Sequence, residues 1–162
     1  GETSVLTSYD PGVYALLDGR GVIDVLRSID ILFLNRVEAR SLTGSKPESL
    51  LKHGLSMLIV KKGAGGAYVV QPGGQFIYGY SKPLKQPVNT TGAGDVFDAY
   101  FNASYLDFKD PVKALSYALT AGAMHTYCPT SIMCCDKDLF HEQFKYTRVE
   151  VSKEPEDWII ED

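Results

Sequence analysis

Two short apolar runs, Ile31–Leu34 and Met57–Val60, constrain this chain more than any other feature. They are too short to span a bilayer, and they are continuous rather than alternating, the pattern of strands buried on both faces. A helical stripe of Val22, Val25, Leu26 and Ile29 within residues 20–29 leads into the first run. A short helix opening at Asn35 and ending near Thr43-Gly44, then a helical stretch over Glu48–Leu55, leads into the strand Met57–Lys61. Alternation of this kind predicts an α/β fold of three layers, helices covering both faces of a mainly parallel sheet. With 162 residues, 44% hydrophobic and 22% charged, the chain has enough apolar material for one core and one domain.

The remaining pattern fits that frame. Val5–Ser8 reads as a strand stopped by Asp10-Pro11-Gly12, Gly63-Ala64-Gly65-Gly66 turns the chain into a strand ending at Val70, and Pro72-Gly73-Gly74 returns it along Gln75–Tyr80. Helices are expected over 95–106, 112–125 and about 136–146. The acidic tail containing Glu154–Asp157 and Trp158-Ile159-Ile160 is expected to be peripheral. A formal charge of −4 has the wrong sign for gripping nucleic acid and provides no polybasic membrane patch. The start of the chain shows neither a basic leader nor a continuous apolar segment, so no secretory peptide is evident and no membrane partner is expected. Three late cysteines, Cys128, Cys134 and Cys135, cannot pair completely and make no disulfide framework. That pattern favours a reducing compartment, so a cytoplasmic location is expected.

Chemistry concentrates at Asn89-Thr90-Thr91-Gly92-Ala93-Gly94-Asp95, just before the helix that begins Val96-Phe97. Glycines there let backbone N–H groups approach an anion closely, and a helix start leaves further donors without intrahelical partners. Donors so placed can stabilise a transferring phosphoryl group. The helix dipole favours a carboxylate at Asp95, which is the candidate base for a substrate hydroxyl. Asp98, three residues later, suits a solvent or capping role better.

The Gly92-Ala93-Gly94-Asp95 word, with its Thr-Thr approach and following helix, resembles the signature of the ribokinase-like, or pfkB, carbohydrate kinases. The resemblance implies an α/β kinase that uses ATP and Mg2+ to phosphorylate a hydroxyl of a small sugar or nucleoside-like substrate. In that reading Asp95 is the base, and Gly92, Ala93 and Gly94 form the anion hole. Asn35-Arg36-Val37-Glu38 resembles the family's Asn-x-x-Glu motif, which makes Asn35 a phosphate-side partner and Glu38 the residue that organises magnesium through water. Without the family word, Asn35 reads as a helix cap and Glu38 as a surface first-turn acid. Gly63 and Gly66 resemble the family's Gly-x-x-Gly turn near the nucleotide, although a tight strand connection alone would also call for glycine. The resemblance covers nearly the whole chain and matches the C-terminal portion of the family. The sugar-binding segment and strand-built lid would then lie in a missing N-terminal segment or companion chain, and this portion alone would be weakly active or inactive.

Four positions depart from the family pattern. Gly12 replaces Asn after Asp-Pro, Asn89 replaces Asp before Thr90, Tyr100 stands where glycine is frequent, and Leu119 falls near an Asn that faces the purine. Of these, Gly12, Asn89 and Leu119 favour the alternative of a noncatalytic nucleotide-binding or interaction module, while Tyr100 bears on helix packing. Tyr78, Tyr80 and Tyr117 are candidates to line a base pocket, though ordinary core packing is the favoured reading of aromatics so distributed. One of Lys61 and Lys62 has the reach for a phosphate, with solvation as the default. His125 and the cysteines lack zinc spacing and are expected in core or loop roles, while His53 and His141 are expected at the surface. A P-loop, a GxGxxG word and a GxSxG elbow are all absent from the sequence.

Overall fold

The computed structural model describes residues 5–134 and 136–152. It divides into two compact units, and the chain crosses between them near residues 62, 67, 76 and 151. The expectations for the acidic tail fall outside the described residues.

In the first unit β1 (Ser8–Tyr9), β2 (Ile31–Asn35), β3 (Met57–Lys61) and most of β4 (Ala67–Gln71) lie side by side in that order. β1 pairs parallel with β2, and β2 parallel with β3 in the register Ile31 to Met57 through Asn35 to Lys61. All four residues of each apolar run are buried, as parallel strands covered on both faces require. The strand expected over Val5–Ser8 is shorter and lies later. Thr7 instead clamps Asp30, its amide donating to Asp30 Oδ2 at 2.8 Å while the Asp30 amide donates to Thr7 Oγ1 at 3.0 Å.

Three helices belong to this unit. α1 (Tyr14–Leu17) was not expected, and α2 (Gly19–Val25) follows it at once, capped by Asp18. The stripe expected to stay helical to residue 29 tightens into a 3₁₀ turn at Leu26–Ser28. α3 (Arg36–Thr43) ends at Gly44. The helical stretch expected over Glu48–Leu55 is a 3₁₀ segment, Pro47–His53, closed by Gly54 in the left-handed region at φ +102°.

The second unit holds most of β5 (Gln75–Ser81), β6 (Thr147–Ser152) and three helices, α4 (Ala93–Phe108), α5 (Pro111–His125) and α6 (Lys137–Phe144). β6 neighbours β5 and was not expected. α5 is the core helix of the unit, with Ala114, Leu115, Ala118, Ala121 and Met124 fully buried. Asp110 caps it through the amides of Val112 and Lys113, and Pro111 supplies a preset φ at its first position. α4 contributes Phe97 and Phe101, whose rings stack 6.4 Å apart. Gln143 of α6 is fully buried, and its amide nitrogen donates to Ser81 Oγ at 2.9 Å and Lys82 O at 2.8 Å, fixing the helix to the end of β5. No described helix is long and apolar enough to cross a membrane.

Candidate active site

The first unit gathers Asp10, Asn35, Glu38 and Lys61 at the ends of its parallel strands. Asn35 ends β2 in an extended conformation and caps α3, its Oδ1 accepting from the Glu38 amide at 2.9 Å. Glu38 reciprocates, Oε2 accepting from the Asn35 amide at 2.7 Å and Oε1 from Asn35 Nδ2 at 2.6 Å. The sequence reading of a helix cap therefore describes the local geometry, with one correction. Glu38 is not a surface acid but is only 6% exposed. Burial is the main reason its carboxyl is pushed above the usual range, with nearby Asp10 adding to the effect and the Asn35 amide and Lys61 opposing it. Lys61 Nζ lies 2.7 Å from Asp10 Oδ2 and 5.7 Å from the Phe33 ring centre, so Lys61 is committed to local partners. Asp10 Oδ1 also accepts from the Gly12 amide at 2.9 Å. Gly12 has φ +53°, a conformation that glycine and asparagine adopt most readily, so replacing Asn there preserves the backbone path.

In the second unit the Gly92–Asp95 word forms the entrance to α4. Gly92 is its N-cap at φ +86°, and no side chain caps the helix. The Ala93 amide donates to Thr90 O at 3.2 Å and the Val96 amide to Gly92 O at 3.0 Å. Among the described residues, the amides of Gly92, Gly94 and Asp95 make no hydrogen bond. Gly94 and Asp95 are exposed. Three amides without internal acceptors and an exposed carboxylate therefore stand together at a helix N-terminus, an arrangement that can hold phosphoryl oxygens and accept a proton beside them.

A second segment seats this entrance. The amides of Val88 and Asn89 donate to Thr126 O at 2.7 and 3.1 Å. Asn89 Oδ1 accepts from the Thr91 amide at 2.9 Å, while its Nδ2 donates to Pro129 O at 3.3 Å, a bond that a carboxylate cannot make. His125 Nε2 lies 2.8 Å from Thr91 O. Cys128 and Cys134 are joined by a disulfide that closes the loop carrying Pro129 and Ser131, a pairing that the reading of the cysteines as reduced thiols does not anticipate, because the loop brings together two residues six apart. His125 thus occupies the core role expected of it, and the described residues contain no cluster of three or more metal-ligating side chains. Sequence spacing offers no signal for the His125 contact, which joins residues 34 apart.

The two glycines of the 63–66 turn separate in role. Gly66 has φ +87°, and a Cβ there would land on the Gly79 carbonyl oxygen, so packing alone demands glycine. Gly63 is exposed, with open space around it. Tyr78 donates its phenol to Gly65 O at 2.9 Å, and burial pushes that phenol up, with Tyr80 and Glu150 adding to the effect. Leu119 is 6% exposed, and a Cβ at Gly79 would lie 2.7 Å from its Cδ1, so Leu119 packs against β5. Tyr100 stacks on Phe140 of α6 at 5.9 Å. With Tyr117 and Phe144 these rings line an open cavity of about 610 Å³, whose lining does not include Tyr78 or Tyr80.

The sequence matches the pfkB family of carbohydrate kinases over residues 10–138, and the chain belongs to that family. Over 112 residues it is 37% identical to the 2-dehydro-3-deoxygluconokinase of Thermoproteus tenax, covering 65% of this chain and 34% of that protein. Over 125 residues it is 34% identical to the ATP-dependent ribose-1-phosphate kinase of Halopiger xanaduensis, covering 76% of this chain and 40% of that protein. The chain thus spans well under half the length of these relatives. Its three-layer α/β fold is shared with the Methanocaldococcus jannaschii nucleoside kinase, at a TM-score of 0.76 and 21% identity over 90% of this chain and 50% of the other. The Arabidopsis thaliana ribokinase complexed with ribose and ATP superposes at a TM-score of 0.69 and 29% identity, covering 76% of this chain and 43% of the other.

Proposed function

We propose that this chain is the C-terminal portion of an ATP-dependent kinase that phosphorylates a hydroxyl of a small sugar or nucleoside-like substrate in the cytoplasm. The observation that carries the reading is the α4 entrance, where exposed Asp95 stands beside amides that no internal acceptor uses. Asp95 takes the proton of the acceptor hydroxyl as its oxygen bonds to the γ-phosphorus and ADP departs. The amides of Gly92, Gly94 and Asp95 hold the phosphoryl oxygens as charge develops on them, and Ala93 serves as the compact link between the glycines. Gly63 keeps the turn before β4 low enough for a nucleotide to approach, whereas Gly66 maintains the turn itself.

The residues of the first unit fit a hydrated Mg2+. Each Glu38 oxygen accepts one hydrogen bond from Asn35 and keeps a lone-pair site, and the neighbouring Asp10 adds negative charge that a dication offsets. Glu38 would hold the ion through water while Asn35 fixes the carboxylate. When bound, Mg2+ supplies charge neutralisation to the nucleotide phosphates.

The packing of Leu119 against β5 favours a second reading, a noncatalytic nucleotide-binding module, because no amide stands there to read a purine. Acceptor-dependent ADP production by the complete protein, across a panel of sugars and nucleosides, separates the two. Turnover that falls at least 100-fold in Asp95→Asn supports the kinase. Mg-ATP binding without transfer to any acceptor supports the module, and full turnover in Asp95→Asn removes the base role.

A further inference from the structure

We propose that His125 is a positioning residue that locks the Thr91–Gly92 peptide plane and thereby aims the Gly92 amide at a phosphoryl oxygen; this rests on the kinase reading above. His125 ends α5 and is fully buried. Its Nε2 contacts Thr91 O at 2.8 Å. A carbonyl oxygen can only accept, so Nε2 carries the hydrogen. Nδ1 is buried and has no hydrogen-bond partner among the described residues. An unpaired buried polar atom is unfavourable, and a leucine of similar bulk would avoid it. The imidazole is therefore a poor choice for packing alone, and its distinctive contribution is the single bond to Thr91.

The consequence of that bond follows from peptide geometry. In a planar trans peptide the carbonyl of residue i and the N–H of residue i+1 point in opposite directions. Pinning Thr91 O toward the buried imidazole directs the Gly92 N–H away from it, and that N–H makes no internal hydrogen bond among the described residues. The ring also supports Gly92 from below. A Cβ on Gly92 would lie 3.1 Å from His125 Nε2 and 3.1 Å from Ser131 O, so the loop is seated between the imidazole and the segment closed by the disulfide. Rotation of this peptide plane would turn a donor away from the anion hole without displacing Asp95.

The test compares three variants of the complete protein. His125→Gln keeps an N–H at about the reach of Nε2, His125→Asn keeps an amide that is too short, and His125→Leu removes the donor. The expected result is a fall of about tenfold in kcat for His125→Leu and His125→Asn with KM for nucleotide and acceptor nearly unchanged, and recovery to within about threefold of wild type in His125→Gln. In the ligand-free protein, the Gly92 amide resonance and its hydrogen-exchange rate should change in the Leu and Asn variants and stay close to wild type in the Gln variant. Should His125→Leu fail to fold, the Gln and Asn pair carries the comparison. Equal kcat in that pair, full kcat in His125→Leu, or an unmoved Gly92 amide in all three overturns the proposal. Asp95→Asn is measured in parallel. If it keeps full turnover the kinase reading fails, and the amide measurements still decide whether the plane is locked; if it loses turnover while the His125 variants do not, the positioning role alone fails.

Discussion

The entrances of α3 and α4 are built on the same spacing and arrive at opposite states. Each places an acid three residues after its N-cap, Glu38 after Asn35 and Asp95 after Gly92. In α3 the cap has a side chain, and the two residues satisfy one another in a capping box that buries the acid. In α4 the cap is glycine, so the acid has nothing to close upon and remains exposed with neighbouring amides unused. One missing side chain converts a stabilising motif into a surface that can work on a ligand. Little stability is given up at α4, since glycine at an N-cap costs only a few tenths of a kcal/mol relative to a side-chain cap.

Installing a cap where there is none should have the largest effect. Gly92→Asn tolerates the left-handed backbone better than other substitutions, yet its side chain must compete for the 3.1 Å gap beside His125 and Ser131 and can bond the α4 amides itself. Acceptor-dependent turnover is expected to fall about 100-fold, with the fold retained by circular dichroism. Removing the cap from α3 tests the other side. Asn35→Ala takes the side-chain donor from the buried Glu38 carboxylate and the acceptor from the Glu38 amide, leaving only the backbone amide of residue 35 on the carboxylate, and should cost about 2 kcal/mol in denaturant unfolding.

The pH response of the closed entrance has a defined sign. Because the Glu38 carboxyl is raised in the folded protein, the fold binds its proton more tightly than the unfolded chain does. Its contribution is therefore greatest at low pH and is lost as pH rises from about 4.5 through the raised value, measured without divalent metal. Glu38→Gln should flatten that part of the stability profile. The smallest expected effect is at Asn89→Asp, which removes the donor to Pro129 O but keeps the acceptor for the Thr91 amide; about 1 kcal/mol should be lost, visible as a lowered Tm.

What the sequence made legible depended on how local the cause was. β2 and β3 were readable because a run of consecutive apolar residues has few alternatives, and α5 because residues 112–125 are rich in the helix formers Ala and Leu, although its start at Asp110-Pro111 was not read. The stretch at Glu48–Leu55 kept its helical spacing but not its helical type, since Pro47 and Gly54 confine it to a few tight turns. β6 was hidden because Arg148, Glu150 and Val151 are all exposed, so burial does not sharpen its alternation. At the site, the α4 word and the Asn35 cap were both visible as spacing. The burial of Glu38, the pairing of Lys61 with Asp10 and the seat formed by His125 all come from contacts distant in the chain, which no local pattern encodes.

The difference between the two entrances can be read directly by titrating the complete protein with Mg-ATP while following backbone amide resonances. The account predicts that Gly92, Gly94 and Asp95 shift together and saturate at one ligand concentration. Saturable ATP binding that leaves those three amides unmoved would contradict it.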